Sequence, residues 1–309
     1  MQHPNFIPIV FCFDAGYAPY AAVSTFSLHW HAHSPLKTYW IVPSSDIDRI
    51  VVYSEVLAKQ GIAITIIAAD ESTFLHWKEV RHLSRGAYLR LLIPELVCES
   101  RAIYLDSDLL VLADLAGLFE TPLQATLLAG VRDPEGGKSS KMPRSTDDIY
   151  INSGVLLMDL EGLRHDDFFN KCKKIYSEHV DAVTWLDQCL INKYAENNKT
   201  QVDSKWNYPL YESKYDNGPL GLFARHNDLR IVHFLGRIKP WIDTCDPRVA
   251  EFWWQYAEQS GVPGLHPQTA LTGRKSSALL TILPFNKHLK QAKRLRKHAL
   301  NLLLKRGKG

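Results

Sequence analysis

Apolar runs of strand length alternate with helix-like segments along the first half of this 309-residue chain. The first run, residues 7–13, ends at Asp14, and residues 17–30 then follow the pattern of a helix. This alternation predicts an α/β fold with a mainly parallel sheet covered by helices on both faces. A helix is also predicted from Asp46 and another over 88–97, and a mobile loop over 133–148. Further strands are predicted over 38–42, 62–68, 102–105, 127–131, 151–158 and 230–234.

A pair of carboxylates follows the strand predicted over 102–105. Asp106 and Asp108 flank Ser107 at the carboxyl end of this strand, the edge at which open α/β sheets bind ligands. Alternate residues of an extended chain point the same way, so both carboxylates can hold one hard cation such as Mg²⁺ or Mn²⁺. The alternative is that the pair only caps the turn into Leu109.

A second motif, HFLGRIKPW, begins at His233 and turns through Gly236. It can bring the His233 imidazole to the same cation and the Lys239 ammonium to a phosphate. A histidine at a strand end is otherwise a common hydrogen-bonded structural residue, and this alternative stays open.

Two more motifs carry polar residues, and those of the first could hydrogen-bond sugar hydroxyls. Asn152 and Ser153 open the strand predicted over 151–158, and Gly154 allows a close backbone approach, although Asn-Ser-Gly is also a common turn. Asp187 and Gln188 fall on the first turn of a predicted helix. Helix capping explains Asp187 without any chemistry.

These four motifs, in this order, resemble glycosyltransferase family 8, which includes bacterial lipopolysaccharide galactosyl- and glucosyltransferases and the self-glucosylating glycogenins. The resemblance runs from about residue 9 to residue 241 and implies a GT-A-like fold. It also implies transfer of a hexose, galactose or glucose, from a UDP-sugar to a saccharide acceptor, in lipopolysaccharide, lipooligosaccharide or other cell-surface glycan synthesis. The chain departs from many members at Cys189, where they have a second aspartate.

Site residues follow from the resemblance. Mn²⁺ or Mg²⁺ is expected on Asp106, Asp108 and His233, with Gly236 and Lys239 at the diphosphate. The uridine is expected at Asp14 and Tyr17. The remaining predicted donor-binding residues are Phe11, Arg90, Ser107, Asp133, Asn152, Ser153, Gly154, Asp187 and Gln188.

Family members retain the anomeric configuration. The amide of Gln188, expected near the anomeric carbon, is a poor nucleophile, which favours attack by the acceptor on the face from which the phosphate leaves. Gln188 is then the predicted stabiliser of an oxocarbenium-like state, and Asp187 and Asn152 orient the sugar.

The charge distribution separates the end of the chain from its body. No Asp or Glu follows Glu258, whereas 11 of the 36 Lys and Arg residues do. We therefore predict a catalytic domain over residues 1–260 and a basic amphipathic segment over 261–309. Within 285–306 the apolar residues form one helical stripe, which favours binding to an anionic membrane over binding to nucleic acid or a purely solvated helix.

Composition and the absence of targeting signals bear on location. No apolar run approaches the roughly 20 residues of a membrane span, and the N-terminus lacks the pattern of a secretory signal. Five scattered cysteines fit a reducing compartment. We expect a cytoplasmic protein, peripheral on the inner face of the membrane, with a saccharide or lipid-linked saccharide as acceptor. The rival functions are a sugar-nucleotide nucleotidyltransferase and a non-catalytic module that binds carbohydrate or nucleic acid.

Overall fold

A computed structural model describes residues 5–79, 85–210 and 228–266, and the fold is given for these residues. The strands are β1 (Ile7–Cys12), β2 (Leu36–Pro43), β3 (Ile64–Ala69), β4 (Arg101–Leu105), β5 (Leu109–Val111), β6 (Leu128–Arg132), β7 (Ile151–Asp159), β8 (Thr200–Val202), β9 (Tyr208–Pro209) and β10 (Ile231–His233).

The α-helices are α1 (Ala18–His31), α2 (Ile47–Ala58), α3 (Ile93–Leu96), α4 (Ala116–Phe119), α5 (Pro134–Ser139), α6 (Leu160–His165), α7 (Phe168–His179), α8 (Leu186–Tyr194) and α9 (Pro247–Ser260). Short 3₁₀ helices occupy Ser44–Asp46, Glu71–Phe74, Arg85–Leu92, Val180–Ala182 and Ser204–Trp206.

The central sheet has seven strands in the order β3-β2-β1-β4-β7-β6-β8. Strands β3, β2, β1 and β4 are mutually parallel, and β8 is parallel to β6. Strand β7 runs antiparallel to both β4 and β6. The prediction of a mainly parallel sheet is confirmed. Because β1 and β4 are parallel neighbours, the loops that follow them leave the sheet at the same edge.

Helices cover both faces of this sheet, as predicted. Along β1, Ile9 and Phe11 pack into a hydrophobic cluster with α1 and α9 on one face. Val10 and Cys12 pack on the other face with the 3₁₀ helix Arg85–Leu92 and with α6, α7 and α8. A strand buried on both faces has no polar alternation, which explains the unbroken apolar run at the start of the chain.

A second, three-stranded sheet in the order β5-β10-β9 was not predicted. It begins where β4 ends, because β5 follows the Asp106–Asp108 turn directly. Strand β10 pairs antiparallel with β5, and His233 lies opposite Leu109. The small sheet thus lies beyond the edge of the large sheet at which β1 and β4 end.

Two predicted segments differ in the structure. The helix predicted over 88–97 is a 3₁₀ helix, Arg85–Leu92, followed by the single turn α3. Pro94 has no N–H to donate to the carbonyl of Arg90, so a continuous α-helix is unfavourable there. The loop predicted over 133–148 contains α5, and its far end is fixed by a buried ion pair between Asp148 and Lys199.

The described part of the chain ends six residues after α9, at His266. The division into residues 1–260 and 261–309 stays a prediction, and the amphipathic segment 285–306 lies outside the described residues. Among the helices of the described ranges, none has both the length and the apolar character needed to cross a bilayer.

Candidate functional site

An open cleft lies at the edge of the sheet where β1 and β4 end. The hydroxyl of Ser107 in its wall is buried and has no hydrogen-bond partner within the described residues. The cleft is lined by Cys12, Phe13, Asp14, Tyr17, Gly86, Ala87, Arg90, Asp106, Ser107 and Asp108.

Asp106, Asp108 and His233 converge at this edge, each offering one ligand atom within 4.8 Å of the others. His233 Nε2 lies 3.0 Å from Asp108 Oδ1 and 3.7 Å from Asp106 Oδ2. The β5–β10 ladder causes this meeting, because the register that pairs His233 with Leu109 places the imidazole beside Asp108. Two carboxylates and an imidazole form a donor set suited to Mn²⁺ or Mg²⁺.

Gly154 provides the space for this cluster. A Cβ atom at Gly154 would lie 2.2 Å from His233 Cε1 and 2.7 Å from Asp106 Oδ2. The β4–β7 pairing brings the glycine there, since the Asp106 N–H donates to the Gly154 carbonyl at 2.8 Å. Any side chain at this position would occupy the space between the candidate ligands, so the residues present fit a bound cation.

Lys239 reaches the same cluster from the loop after β10. Its Nζ donates to Asp108 Oδ2 at 2.5 Å and to the Phe234 carbonyl at 2.6 Å. Burial alone would raise the pKa of the Asp108 carboxyl, but Lys239 and His233 hold that pKa well below its usual range. Gly236, with φ of +90°, makes the turn that folds Lys239 back, a conformation that favours glycine.

Arg90 is a buried cation between two carboxylates. Its Nη2 lies 2.9 Å from Asp106 Oδ1, and its Nε lies 3.2 Å from Asp187 Oδ2 while donating to the Ala87 carbonyl. Nη1 donates to the Ser153 carbonyl at 2.9 Å. Burial disfavours the charged guanidinium, but Asp106 and Asp187 raise the pKa of Arg90 above its usual value. The arginine therefore stays charged and joins the candidate metal cluster to the start of α8.

Asp187 does not cap its helix, which corrects the capping interpretation. Trp185 stands at the N-cap of α8, and no side chain caps it there. The Asp187 side chain instead faces Arg90 in an ion pair without hydrogen-bond geometry. Burial raises the pKa of Asp187 to about 6, Arg90 opposes this shift, and Asp106 adds to it. The carboxylate therefore depends on Arg90 to remain ionised near neutral pH.

The Gln188 amide is held by three neighbouring residues at the entrance of β7. Its Oε1 accepts from the Ser153 N–H at 3.0 Å and from Asn152 Nδ2 at 3.2 Å. Its Nε2 donates to Asp133 Oδ2 at 3.1 Å. One turn later on α8, Asn192 pairs with both backbone groups of Ile151, which locks the helix against β7. These polar groups thus form one rigid surface.

The loop after β1 holds Asp14 and Tyr17 at the cleft. Asp14 Oδ1 accepts from the backbone N–H groups of Gly16 and Tyr17, at 2.9 and 3.2 Å. Burial and the nearby carboxylates, Asp108 first among them, raise the pKa of the Tyr17 hydroxyl. Tyr17 therefore remains a neutral, half-buried ring at the mouth of the site.

The structure brings nearly all predicted site residues to this one edge. Phe11 is the exception, because its side chain is fully buried in the core of β1 and offers no surface to a ligand. The cleft and the contacts of the candidate ligands also include residues that were not predicted as site residues: Cys12, Phe13, Gly86, Ala87, Tyr104 and Asn207. Cys12 and Phe13 adjoin Asp14 in sequence, which was the available signal, whereas Asn207 had none.

Comparison with known proteins shows which family the chain resembles. The model of glycosyl transferase family 8 matches residues 8–245. General stress protein A of Bacillus subtilis (strain 168) is 29% identical over 255 residues, which cover 78% of this chain and 89% of that protein. Glycosyltransferase GlyF of Streptococcus pneumoniae serotype 4 (strain ATCC BAA-334 / TIGR4) is 30% identical over 198 residues, 63% of this chain and 47% of that protein.

Among solved structures, the galactosyltransferase LgtC superposes with a TM-score of 0.72 at 24% identity, covering 82% of this chain and 96% of LgtC. At that identity the likeness concerns the fold, and it confirms the GT-A-like architecture. The chain spans most of General stress protein A but about half of GlyF. The family match covers the sheet, the cleft and the candidate metal cluster alike, and this chain therefore belongs to glycosyl transferase family 8.

Proposed function

We propose that this glycosyltransferase moves a hexose, glucose or galactose, from a UDP-sugar to a saccharide acceptor with retention of configuration, and that it requires Mn²⁺ or Mg²⁺. The observation that carries the proposal is the convergence of Asp106, Asp108 and His233 beside an open cleft. Three ligands of this kind leave room for phosphate oxygens on a divalent cation.

The site residues divide the work between the diphosphate and the sugar. A divalent cation held by the cluster would stabilise the charge that develops on the departing diphosphate. Lys239, already at Asp108, supplies a second positive charge on the same side. Gly236 turns the chain so that this ammonium faces the cluster.

Gln188, Asn152 and Asp187 are the proposed sugar-side residues. Gln188 is held by Ser153, Asn152 and Asp133, so its amide dipole is fixed before the substrate arrives. Preorganised dipoles of this kind stabilise developing charge without reorganisation in the transition state. An amide is a poor nucleophile, so the acceptor hydroxyl attacks on the face that the diphosphate leaves, and the diphosphate accepts its proton.

Known relatives support the two substrate classes. LgtC is a galactosyltransferase whose structure was solved in complex with donor and acceptor sugar analogs. By likeness of fold, we infer that this chain also takes a sugar donor and a sugar acceptor. Lipopolysaccharide, lipooligosaccharide or another cell-surface glycan is the acceptor class that we propose.

A donor screen tests the reaction. Purified protein with Mn²⁺ is incubated with UDP-glucose, UDP-galactose or UDP-N-acetylglucosamine, and UDP release is followed. We expect release from one of the two hexose donors, and its loss in EDTA. Synthesis of a UDP-sugar from UTP and a sugar phosphate would instead indicate a nucleotidyltransferase. Sugar binding without UDP release from any donor would indicate a non-catalytic module.

We also propose that the segment 285–306 attaches the enzyme to the inner face of the cytoplasmic membrane, near a lipid-linked acceptor. The support is its sequence, because the spacing of its leucines, Leu295 among them, would place them on one stripe of a helix otherwise rich in Lys and Arg. Leu295→Asp and Asn301→Asp add the same charge, the first on the stripe and the second on the opposite side of the same helix. Only Leu295→Asp should abolish sedimentation with anionic liposomes. Equal effects of the two variants would contradict an inserted apolar face.

A further inference from the structure

Asn207 joins the candidate metal cluster to the candidate sugar site. It precedes β9 and is 2% exposed. Strand β9 runs parallel to β10, with Pro209 opposite His233, and this register holds the Asn207 side chain beside the imidazole. Asn207 Oδ1 lies 2.9 Å from His233 Nδ1, and Asn207 Nδ2 donates to Asn152 Oδ1 at 2.8 Å.

One backbone group fixes the donor and the acceptor in each hydrogen bond that links Asn152, Asn207 and His233. The Gly154 N–H donates to Asn152 Oδ1 at 2.9 Å, and a backbone amide can only donate. The oxygen of Asn152 therefore faces Asn207 and accepts a hydrogen bond, so the Asn207 NH₂ group must be the donor. The Asn207 oxygen is then left facing His233 Nδ1, so it accepts a proton from that nitrogen.

We infer that Asn207 is a positioning residue, which holds His233 in the tautomer with the proton on Nδ1 and the Nε2 lone pair directed at the cation site. This inference rests on the proposed metal-dependent function. A metal-ligating histidine needs its other ring nitrogen protonated and bonded, and such outer partners commonly affect metal affinity by about 10- to 100-fold.

Through Asn152, the Asn207 side chain is also linked to the proposed sugar-side residue Gln188. Asn152 uses its Nδ2 for Gln188 Oε1, at 3.2 Å. Gly154 and Asn207 together thus set the orientation of Asn152, which holds the Gln188 amide together with the Ser153 N–H. Asn207 has two separable roles, one through its oxygen and one through its NH₂ group.

Two variants of nearly equal size separate these roles. Asn207→Asp keeps an acceptor for His233 Nδ1 but turns a second oxygen toward Asn152. Asn207→Leu removes both interactions. Mn²⁺ affinity is measured by titration calorimetry with the full-length protein and UDP, and turnover is measured at saturating donor and Mn²⁺.

We expect Asn207→Leu to weaken Mn²⁺ binding by about 10- to 100-fold and Asn207→Asp to keep it within about threefold of the wild type. Turnover should fall in both variants, since both lose the bond to Asn152. Nitrogen-15 NMR of histidine-labelled protein with Mg²⁺, assigned with His233→Gln, should show a protonated Nδ1 in wild type and Asn207→Asp only. Melting curves in EDTA verify that each variant folds.

Wild-type Mn²⁺ affinity in Asn207→Leu would overturn the inference, and so would equal losses in two folded variants. A wild-type protein that binds no Mn²⁺ with UDP would instead contradict the proposed function itself. An Nε2-protonated His233 in the Mg²⁺-loaded wild type would overturn the tautomer assignment while leaving the metal requirement intact.

Discussion

Arg90 Nη2 lies 2.9 Å from Asp106 Oδ1, and the other side of the same buried guanidinium faces Asp187. Asp106 directly follows β4 and belongs to the candidate metal cluster, whereas Asp187 lies in the first turn of α8 beside Gln188. The guanidinium also binds the carbonyl of Ser153 on β7. One charged side chain therefore fixes the relative position of the proposed diphosphate and sugar sides of the site.

Removing this charge should destabilise the protein. Arg90→Met leaves two carboxylates without their shared partner, and breaking a buried ion pair typically costs about 3–5 kcal/mol. Urea unfolding in EDTA measures the difference from wild type. Arg49, whose side chain is 71% exposed, provides the matched control, and Arg49→Met should change stability by less than about 0.5 kcal/mol. Equal stability of Arg90→Met and wild type would contradict the structural role of Arg90.

Gly154→Ala should abolish metal binding and activity. The added Cβ would lie 2.2 Å from His233 Cε1, so the imidazole would have to leave the cluster. Gly117→Ala is the control, because its Cβ would meet Trp206 at an ordinary 3.4 Å. UDP release with Mn²⁺ should be lost only in Gly154→Ala. Full activity of that variant would show that the three candidate ligands need not meet.

The stability of the metal-free protein should depend on the ionisation of Asp187. Burial raises the pKa of this carboxyl to about 6, above the value of 3.8 expected in an unfolded chain. Its contribution to stability is therefore fully present below about pH 4 and is lost as the pH rises through about 6. Asp187→Asn removes this titration.

Urea unfolding of both proteins in EDTA from pH 4 to 7.5 measures the effect. The stability of wild type relative to Asp187→Asn should fall between about pH 4 and 6 and then level off. Two curves that stay parallel across this range would show that the pKa of Asp187 is the same in the folded and unfolded chains.

Gln188→Ala should lower turnover much more than donor affinity. The Gln188 amide is fixed by Ser153 and Asp133, and we expect it to act on the charge that develops at the anomeric carbon. Steady-state kinetics and UDP-sugar titrations separate the two quantities. Gln201 on β8 is exposed, and Gln201→Ala should leave both unchanged. Unchanged turnover in Gln188→Ala would remove this residue from the mechanism.

The sequence predicted which residues form the site better than it predicted the contacts between them. The Asp106–Asp108 pair was readable because the strand before it is buried on both faces and ends abruptly at polar residues. The ion pair of Arg90 with Asp187 was not readable, since it depends on how α8 packs against β7 and the 3₁₀ helix Arg85–Leu92. Local rules favoured a helix cap at Asp187, and this tertiary contact overrode them.

Asn207 illustrates the same limit. Its neighbours in sequence form a two-residue strand with no distinctive pattern, and its role appears only when β9 pairs with β10. A strand over 230–234 was predicted, but its partners β5 and β9 were missed, because strands of two or three residues give no periodic signal. This unpredicted sheet is what brings His233 to the two aspartates.

The affinity for UDP with and without a divalent cation shows whether the three candidate ligands share an ion. Titration calorimetry of the wild type is compared in Mn²⁺ and in EDTA, and with Asp108→Ala and His233→Ala in Mn²⁺. If Asp106, Asp108 and His233 share a cation that holds the diphosphate, UDP should bind the wild type only with Mn²⁺, and both variants should lose that dependence. Equal UDP affinity of the wild type in Mn²⁺ and EDTA would contradict the account.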